Sequence, residues 1–515
     1  MHFSRRRFLQ ISGAAALVPT CARLFASTDP ATQALCHRLA ADPLRPQYHL
    51  LPAHNWMNDP NGPIFYKGQY HMFHQYNPES AVWGNMNWAH ATSPDMIHWQ
   101  HQPIALSPTP GGYDRNGVFS GSAVLDHGKP VVIYTGVLPA SSPSDATLND
   151  GVHVWREVQM LATAGDDDLR SWTKLPDPII SAPPTDLKVT GFRDPYVWRE
   201  GDQWLLILGS GFKGKGGAIL LYSSSDLRHW NYLHPLVEGP GNGTQSANPV
   251  DIGEMWECPD FFPIGNKHVL LISTMGKVRW KVGTYANQRF TPEKEGVLDW
   301  GSYYAAKTML DKDGNRVLWG WISESRPDQD LLAAGWAGAM SLPRVMSLNT
   351  QNELRTELHS SAQMLRGQHS GIKTNEATSA LREKVAALGI RDLAAELKVT
   401  IQPKSGEFKL RLHSDSGDFV ALTVAGAAGD QHLQVGPVTA PLAAAAGSPL
   451  TLHMLVDGSV IEVFVENGPT LTARIYQVPS GPLRLRLEGN AEIKSLDLWQ
   501  MKPISKDRLT GSLCS

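Results

Sequence analysis

The strongest constraint on the fold is a pattern that recurs five times between residues 47 and 345. Each unit begins with a polar or acidic residue, continues as an apolar run, turns at a glycine and returns as a second apolar run. Hairpin units that recur every ~45–75 residues are typical of the blades of a β-propeller. The pattern therefore predicts an all-β fold with a five-bladed β-propeller over 47–345. The five turns are Lys67-Gly68-Gln69, Asp126-His127-Gly128-Lys129, Glu200-Gly201-Asp202, Gly265-Asn266-Lys267 and Lys312-Asp313-Gly314-Asn315.

A different pattern begins after the repeat. Residues 346–370 are polar and predict a linker with a short helix around 362–366. From 371 to 505, short runs such as 395–401 and 460–465 alternate apolar and polar residues. This alternation is typical of antiparallel strands with one buried face, and it predicts a C-terminal β-sandwich. We expect this second domain to pack beside the propeller and to carry no chemistry.

Composition supports a chain of several domains and argues against a nucleic-acid partner. A length of 515 residues exceeds what one hydrophobic core normally organises. The formal net charge is −3, so the chain lacks the basic excess of a nucleic-acid-binding protein. The four cysteines form no metal-ligand cluster in the sequence, and we expect no metal and no cofactor.

Residues 1–26 are predicted to be an export signal. The segment Ser4-Arg5-Arg6-Arg7-Phe8-Leu9 matches the twin-arginine pattern, and a modest apolar run follows over 11–19. Neither this run nor any later one reaches the ~18 apolar residues that a membrane-spanning helix needs. We therefore expect a periplasmic or extracellular protein without stable membrane insertion.

Three carboxylic acids stand at the openings of first strands in the repeat. They are Asp59 in the first unit, Asp194 in the third and Glu257 in the fourth. In a propeller the innermost strands line a central channel, so the repeat predicts that these side chains converge on one cavity. Like charges crowded into a cavity are costly, and such clusters are characteristic of functional sites.

The neighbours of the acids suggest different roles in cleaving a glycosidic bond, which needs a nucleophile and a proton donor. Asp59 lies in an amide-rich turn that is expected to keep it ionised, which suits a nucleophile. Glu257 lies between Trp256 and Cys258, and apolar neighbours raise the pKa of a carboxyl group toward that of a proton donor. Asp194 follows Arg193 and is expected to stay charged and to grip sugar hydroxyls.

The sequence around each acid also resembles a signature block of glycoside hydrolase family 32, which holds invertases, inulinases, levanases and fructosyltransferases. Four further segments of the chain resemble secondary blocks of the same family: 75–78, 83–85, 119–122 and 303–305. All blocks occur in order over about 47–500. The three signature blocks are Asn58-Asp59-Pro60-Asn61-Gly62, Phe192-Arg193-Asp194-Pro195 and Trp256-Glu257-Cys258-Pro259-Asp260.

This resemblance implies a propeller followed by a sandwich, retention of configuration and no metal. It implies that Asp59 is the nucleophile, Glu257 the acid/base and Asp194 the stabiliser of the transition state. The positions that match sugar-contacting residues of the family are Asn58, Gln75, Trp83, Ser120, Arg193, Tyr304 and Trp321.

The function expected from these observations is that of a β-fructofuranosidase, which releases terminal β-D-fructose from sucrose and related fructosides. A fructosyltransferase shares the same acids, and an inulin- or levan-preferring exo-fructanase differs only in the chain it accepts. A non-catalytic fructan-binding propeller is a third alternative, which the loss of one acid would favour. We further expect exo action from a blind pocket with four indole walls, those of Trp56, Trp83, Trp256 and Trp321.

Overall fold

The computed structural model describes residues 29–511 except 143, 245, 374–377, 428–429 and 443–447. The predicted export signal over 1–26 lies outside the described residues. The fold is all-β, as predicted. No described helix is long and apolar enough to cross a membrane. The described helices are α1 (Pro30–Ala41), α2 (Asp328–Ala334), α3 (Thr378–Ala386) and a 3-10 helix at Ser360–Leu365, close to the short helix predicted around 362–366.

Residues 55–358 form five separate sheets of four or five strands. The first sheet contains β1 (Asn55–Tyr66), β2 (Gln69–Asn77), β3 (Asn87–Ser93) and β4 (Gln100–Leu106). The second contains β5 (Val118–Asp126), β6 (Lys129–Pro139), β7 (Leu148–Asn149), β8 (Val154–Ala164) and β9 (Trp172–Lys174). The third contains β10 (Val189–Glu200), β11 (Gln203–Phe212), β12 (Gly216–Ser224) and β13 (Asn231–Glu238).

The fourth and fifth sheets complete this region. The fourth contains β14 (Glu257–Ile264), β15 (Lys267–Thr274), β16 (Lys277–Ala286) and β17 (Arg289–Val297). The short strand β20 (Trp336–Ala337) lies later in the chain and pairs in parallel with β1, so it belongs to the first sheet. The fifth sheet contains β18 (Tyr304–Leu310), β19 (Arg316–Ile322), β21 (Ala339–Met340), β22 (Arg344–Leu348) and β23 (Leu354–Leu358).

The first strands of the five sheets contact one another in cyclic order. Strand β1 contacts β5, β5 contacts β10, β10 contacts β14, β14 contacts β18, and β18 contacts β1 again. Strands near this ring are buried on both faces because neighbouring sheets pack against each other: β11 is buried from Trp204 to Gly211. The outer strand β17 is mostly exposed. The apolar runs of the sequence are therefore the inner strands of each sheet.

Each first strand is interrupted by a register shift near its beginning. In β1 the shift lies between Met57 and Pro60, in β10 between Arg193 and Tyr196, and in β14 between Glu257 and Asp260. Strands β5 and β18 have equivalent shifts. A β-bulge of this kind re-aims side chains and is common beside active sites.

The three acids lie around these bulges at successive positions rather than at one equivalent position. Glu257 is the last paired residue before its bulge, Asp194 is the first unpaired residue and Asp59 is the second. The backbone φ of Asp194 is +64°, in the left-handed region that is strained for a residue with a side chain. The prediction that the three acids occupy equivalent places is therefore wrong by one position: relative to Asp194, Glu257 lies one residue earlier and Asp59 one residue later at its bulge.

The C-terminal region is one sheet of ten strands that encloses a single apolar cluster. Two long strands, β26 and β33, pair along most of their lengths and join the other strands into this sheet. Its strands are β24 (Arg366–Lys373), β25 (Gly389–Ile390), β26 (Ala394–Ser414), β27 (Gly417–Ala427), β28 (Asp430–Val435), β29 (Val438–Leu442), β30 (Leu450–Asp457), β31 (Val460–Val465), β32 (Thr470–Arg474) and β33 (Leu483–Met501).

A group of fully buried charges joins the two regions. We call it the interface cluster, and it consists of His49, Asp299, Arg344, Asp457 and Glu462. The His49 ring lies 2.7 Å from Asp457 and 2.9 Å from Glu462. The Arg344 guanidinium donates to Asp299 over 2.9 Å and to Glu462 over 3.1 Å. The cluster therefore links strands β22, β30 and β31 to the segment before β1.

Candidate active site

Residues at or beside all five bulges line one cavity of about 250 Å³. A larger cleft of about 1030 Å³, beside the fifth sheet and the β31–β32 turn, contains none of the predicted site residues. The structure thus brings together side chains that are up to 263 residues apart in the chain, from Asn58 to Trp321. All ten predicted residues line the smaller cavity: Asn58, Asp59, Gln75, Trp83, Ser120, Arg193, Asp194, Glu257, Tyr304 and Trp321.

Asp59 receives hydrogen bonds from three side chains. Ser120 Oγ donates to Oδ2 over 2.6 Å, Asn58 Nδ2 donates to Oδ1 over 3.1 Å, and the Cys258 thiol lies 3.4 Å from Oδ2. Burial raises the pKa of Asp59 above its ordinary value, and these three donors oppose the rise. Gln75 supports the arrangement, because its amide donates to Ser120 Oγ over 2.9 Å.

Glu257 is held from both sides by side chains of neighbouring first strands. Arg193 Nη2 donates to Oε1 over 2.9 Å, and the Tyr304 hydroxyl donates to Oε2 over 2.7 Å. Arg193, Glu257 and Tyr304 are all the last paired residue before their bulges, which explains why their side chains meet. Glu257 is thereby fixed at the cavity wall, with its side chain partly exposed to the cavity.

The indole of Trp256 does not form the apolar environment that the sequence suggested for Glu257. It packs against Gly217 and Gly239, where an added Cβ would lie 2.2 Å from the ring, and it does not line the cavity. Consecutive residues of an extended chain point to opposite faces, so the neighbour in sequence faces away from the acid. Trp56 does not line the cavity either: it lies behind the wall and donates to Asn58 Oδ1 over 2.7 Å.

Asp194 has the most perturbed carboxyl group of the three. Burial raises its pKa to about 7, the charges of Glu257 and Asp59 add to the rise, and Arg193 opposes it. Its Oδ2 accepts a hydrogen bond from the backbone N–H of Cys258 over 2.9 Å. Burial thus outweighs the charge of Arg193, whose guanidinium donates to Glu157 and Glu257, and this differs from the expectation that Arg193 keeps Asp194 charged.

The second of those carboxylates belongs to Glu157, which was not predicted from the sequence. Its fully buried Oε1 accepts from Arg193 Nη1 over 2.8 Å, and its Oε2 accepts from the backbone N–H of Phe192 over 2.7 Å. Glu157 lies in the middle of the buried strand β8 rather than on a first strand. The sequence around it reads Trp155-Arg156-Glu157-Val158-Gln159, in which polar residues are common, so nothing local singled Glu157 out. We call Asp59, Glu157, Arg193, Asp194 and Glu257 the acid cluster.

Aromatic side chains surround the mouth of the cavity. The exposed Trp83 stacks on Trp155 with ring centroids 6.1 Å apart, and the His153 ring lies 4.1 Å from that of Trp155. His153 is tied to Asp150, whose Oδ2 lies 3.0 Å from Nδ1. Trp155, His153 and Asp150 line the cavity and were missed, because they belong to β8 and the loop before it.

The wall offers polar groups to an uncharged, hydroxyl-rich ligand. Within the described part of the chain, the indole N–H of Trp321 is buried without a hydrogen-bond partner. Trp321 lines the cavity, but its indole N–H is enclosed beside Gly338, so the ring offers the cavity an aromatic surface. A search of the same residues finds no group of three or more His, Cys, Asp and Glu side chains that could hold a metal ion. Carboxylates, amides and indoles together suit a sugar, which presents hydroxyls and an apolar face.

Two family models match the chain. The model of the glycosyl hydrolases family 32 N-terminal domain matches residues 49–357, and that of the family 32 C-terminal region matches 349–500. The chain is 35% identical to the sucrose-6-phosphate hydrolase of Escherichia coli over 90% of this chain and 96% of that protein. It is 37% identical to the acid beta-fructofuranosidase of Solanum lycopersicum over 59% of this chain and 49% of that protein.

A solved structure supports the same relationship. A variant of fructan 1-exohydrolase IIa from Cichorium intybus, in complex with 1-kestose, superposes with a TM-score of 0.76 at 26% sequence identity. The superposition covers 90% of this chain and 98% of the Cichorium chain.

Proposed function

Because the chain belongs to glycosyl hydrolase family 32, and is therefore a glycosidase, we propose that it is a retaining β-fructofuranosidase. Its substrates are sucrose and related fructosides that carry a terminal β-D-fructose. The observation that carries the proposal is the placement of Asp59 and Glu257 on one cavity, each fixed by hydrogen bonds from different strands. Sucrose-6-phosphate hydrolase and acid beta-fructofuranosidase among its relatives support the same substrate class.

The proposed reaction has two steps. In the first, an Asp59 oxygen attacks the anomeric carbon of the fructosyl unit, the glycosidic bond breaks, and Glu257 gives its proton to the departing oxygen. In the second, Glu257 takes a proton from water, the resulting hydroxide attacks the same carbon, and the bond to Asp59 breaks. Two attacks on opposite faces restore the original configuration and return both acids to their starting states.

Asp194 is proposed to stabilise the transition state through the hydroxyls of the fructosyl ring. Its pKa of about 7 leaves the ionised form accessible near neutral pH. The ionised carboxylate accepts hydrogen bonds from these hydroxyls and opposes the positive charge that develops on the ring. Asn58, Gln75, Trp83, Ser120, Arg193, Tyr304 and Trp321 complete the proposed fructose site.

The alternatives remain a fructosyltransferase and an inulin- or levan-preferring exo-fructanase. Both use the same acids, and only the acceptor or the chain differs. A non-catalytic fructan-binding propeller is disfavoured because the three acids are all present on one cavity. The exo mode of attack is favoured by the narrow cavity of about 250 Å³, which has room for little more than one sugar ring.

The architecture proposed for this function is a five-bladed propeller followed by a sandwich. The cyclic contacts of the first strands and the parallel pairing of β20 with β1 support ring closure. We place the propeller at 47–358 rather than 47–345, because β22 and β23 belong to the fifth sheet. The linker predicted at 346–370 is thereby shortened to 359–365, and the sandwich proposed here covers 366–505 rather than 371–505, because β24 belongs to the C-terminal sheet. An experimental structure with a different number of blades would overturn this proposal.

Export through a twin-arginine signal over 1–26 is also proposed. Cys36 is disulfide-bonded, which supports an oxidising compartment outside the cytoplasm. Fractionation of cells that express the variant with both Arg5→Lys and Arg6→Lys tests the route. Retention in the cytoplasm is expected, and unchanged export contradicts the proposal.

The function is tested by product analysis with sucrose at low and high concentration. A hydrolase releases equal amounts of glucose and fructose, whereas a transferase releases more glucose than fructose at high sucrose. In the presence of methanol, a retaining enzyme also forms methyl β-D-fructofuranoside. Asp59→Asn and Glu257→Gln should each lower kcat by about 10³-fold or more, while Asp126→Asn, at the far end of β5, should not. Absence of glucose release by the wild type overturns the proposal.

A further inference from the structure

The charge at the cavity mouth is one-sided. The carboxylates of Asp59, Asp150, Asp194 and Glu257 line the cavity, and among the described residues Arg193 is the only arginine or lysine that does so. The Arg193 side chain is 7% exposed, and its guanidinium is already bound by Glu157 and Glu257. The cavity therefore offers no free guanidinium or ammonium group to a negatively charged ligand.

The outermost of these carboxylates is fixed as an anion at the mouth. Asp150 accepts hydrogen bonds from the backbone N–H groups of Val152 and His153 over 2.9 and 2.7 Å. Burial raises its pKa, but these bonds and the His153 ring lower it more, so the pKa lies below its ordinary value. His153 Nδ1 lies 3.0 Å from Asp150 Oδ2, so this ring nitrogen is already engaged and is not free to donate to an incoming phosphate.

The same mouth carries a continuous aromatic surface. Trp83 is 40% exposed, its ring centroid lies 5.5 Å from that of His153, and both rings contact Trp155. Aromatic faces bind the C–H face of a sugar ring without requiring charge. These rings line the same cavity as Asp59 and Glu257, and Trp83 is its exposed aromatic side chain.

We propose that the mouth formed by Trp83, Asp150, His153 and Trp155 selects an uncharged leaving sugar and discriminates against one that carries a phosphate. This inference rests on the proposed β-fructofuranosidase function and specifies its substrate class. It sets the chain apart from what the name of its Escherichia coli relative, a sucrose-6-phosphate hydrolase, says of that protein.

The physical basis is the preference of phosphate for cationic partners. Phosphate sites in proteins are built from arginine, lysine and backbone N–H groups, because a dianion must be compensated when it leaves water. Here the dianion of a 6-phosphate would instead meet Asp150 and the negative field of the acid cluster. A neutral glucose unit meets no such charge repulsion in the same mouth, and it gains the contact with the indoles.

The first experiment measures kcat/KM for sucrose and for sucrose 6-phosphate with the full-length enzyme. Wild type should prefer sucrose by about tenfold or more, which corresponds to the repulsion expected across a partly screened mouth. Asp150→Asn should raise the ratio of sucrose 6-phosphate to sucrose activity by about threefold or more. Asp126→Asn removes an equal charge at the far end of β5 and should leave that ratio unchanged.

The outcomes separate this inference from the function beneath it. Failure to cleave sucrose at all overturns the proposed function. Cleavage of both substrates at equal rates, or a preference for sucrose 6-phosphate, overturns the inference and leaves the β-fructofuranosidase intact. An Asp150→Asn ratio equal to that of the wild type removes Asp150 from the explanation and also overturns it.

A second experiment isolates the aromatic surface. Methyl β-D-fructofuranoside has the same fructosyl unit as sucrose but no leaving sugar to stack. Trp155→Ala should therefore raise KM for sucrose by a larger factor than for the methyl fructoside, and Trp155→Phe should restore most of the difference. Equal changes for both substrates would indicate a structural role for Trp155 and contradict stacking.

Discussion

The acid cluster and the interface cluster are both buried groups of charged side chains, but they differ in balance. In the interface cluster, His49 and Arg344 face the three carboxylates of Asp299, Asp457 and Glu462. The acid cluster contains one guanidinium and four carboxylates, and that guanidinium pairs with only two of them, Glu157 and Glu257. The first group therefore has a cation beside every anion, whereas the second has an excess of anions around an open cavity.

This difference changes the effect of burial on the pKa values. Burial raises the pKa of Glu462, but Arg344 and His49 lower it by more than burial raises it, and the pKa lies at about 2. Burial lowers the pKa of His49, but Asp457 and Glu462 raise it to about 9. In the cavity the pKa of Asp194 is instead raised to about 7. Where every buried anion has a cation beside it, the charges stay fixed and the contact between the two regions is stabilised. Where buried anions are in excess, raised pKa values keep protons available for chemistry.

Removing the cation that balances the interface cluster should have the largest effect. Arg344→Met leaves Asp299 and Glu462 buried without their guanidinium, and breaking a buried pair in this way costs about 3–5 kcal/mol. We expect a loss of that size in the free energy of unfolding, measured by urea denaturation at neutral pH. The kcat of the remaining folded enzyme should not change, because Arg344 does not line the cavity.

The matched control lies on the neighbouring strand β23. Arg355 pairs with Glu353 near the surface, and such pairs contribute at most about 1 kcal/mol. Arg355→Met should therefore shift the unfolding midpoint only slightly. Equal shifts in the two variants would contradict the distinction between a balanced buried cluster and a surface pair.

The second prediction concerns the acid cluster, where removal of a charged group is expected to raise the free energy of unfolding rather than lower it. The pKa of Asp194 is higher in the folded state, about 7, than its ordinary value of 3.8. The folded enzyme therefore binds more protons between these values, and the stability associated with Asp194 is lost as the pH rises through about 7. Asp194→Asn abolishes this titration and should stabilise the enzyme at pH ~8 by on the order of 2–3 kcal/mol.

The pH dependence provides the control for this variant. Below pH ~3, Asp194 is mostly protonated in both states, so the difference in unfolding temperature between wild type and Asp194→Asn should be smallest there and should grow toward pH ~8. Thermal unfolding from pH ~3 to ~8 measures the divergence, and activity should fall in the same variant because Asp194 faces the substrate. A variant that is less stable than wild type at pH ~8 would show that Asp194 is not a destabilising charge.

The convergence of the acids could be predicted from the sequence because the repeat fixes topology. Units with the same hairpin bring their first strands to one axis, so residues far apart in the chain meet. The family resemblance, with its signature and secondary blocks, named ten site residues, and all ten line the cavity. Their roles in catalysis and sugar binding stay predictions. What the repeat could not supply was the register around each bulge, which depends on how two strands pair locally.

Residues outside the first strands could not be predicted in this way. Trp155 and His153 line the cavity from β8 and its preceding loop, and Glu157 of β8 holds Arg193 from behind the cavity wall; the repeat makes no prediction for these positions. Adjacency in sequence was also misleading for Trp256, which faces away from Glu257. Likewise, the protonation of Asp194 depends on where the Arg193 guanidinium points, and that direction is set by tertiary contacts with Glu157 and Glu257.

The last prediction, with the smallest effect, concerns the carboxylate of the acid cluster that does not line the cavity. Glu157 holds Arg193 Nη1 while Glu257 accepts from Arg193 Nη2. Glu157→Gln keeps the shape and the acceptor for Phe192 N–H but removes one negative charge, so Arg193 is held less firmly against Glu257. We expect kcat to fall by about tenfold, or ~1.4 kcal/mol, with sucrose, and by less with an activated aryl fructoside, which needs little proton donation from Glu257. A merely structural role for Glu157 would lower kcat equally for both substrates, and this outcome would remove it from the positioning of the acid/base.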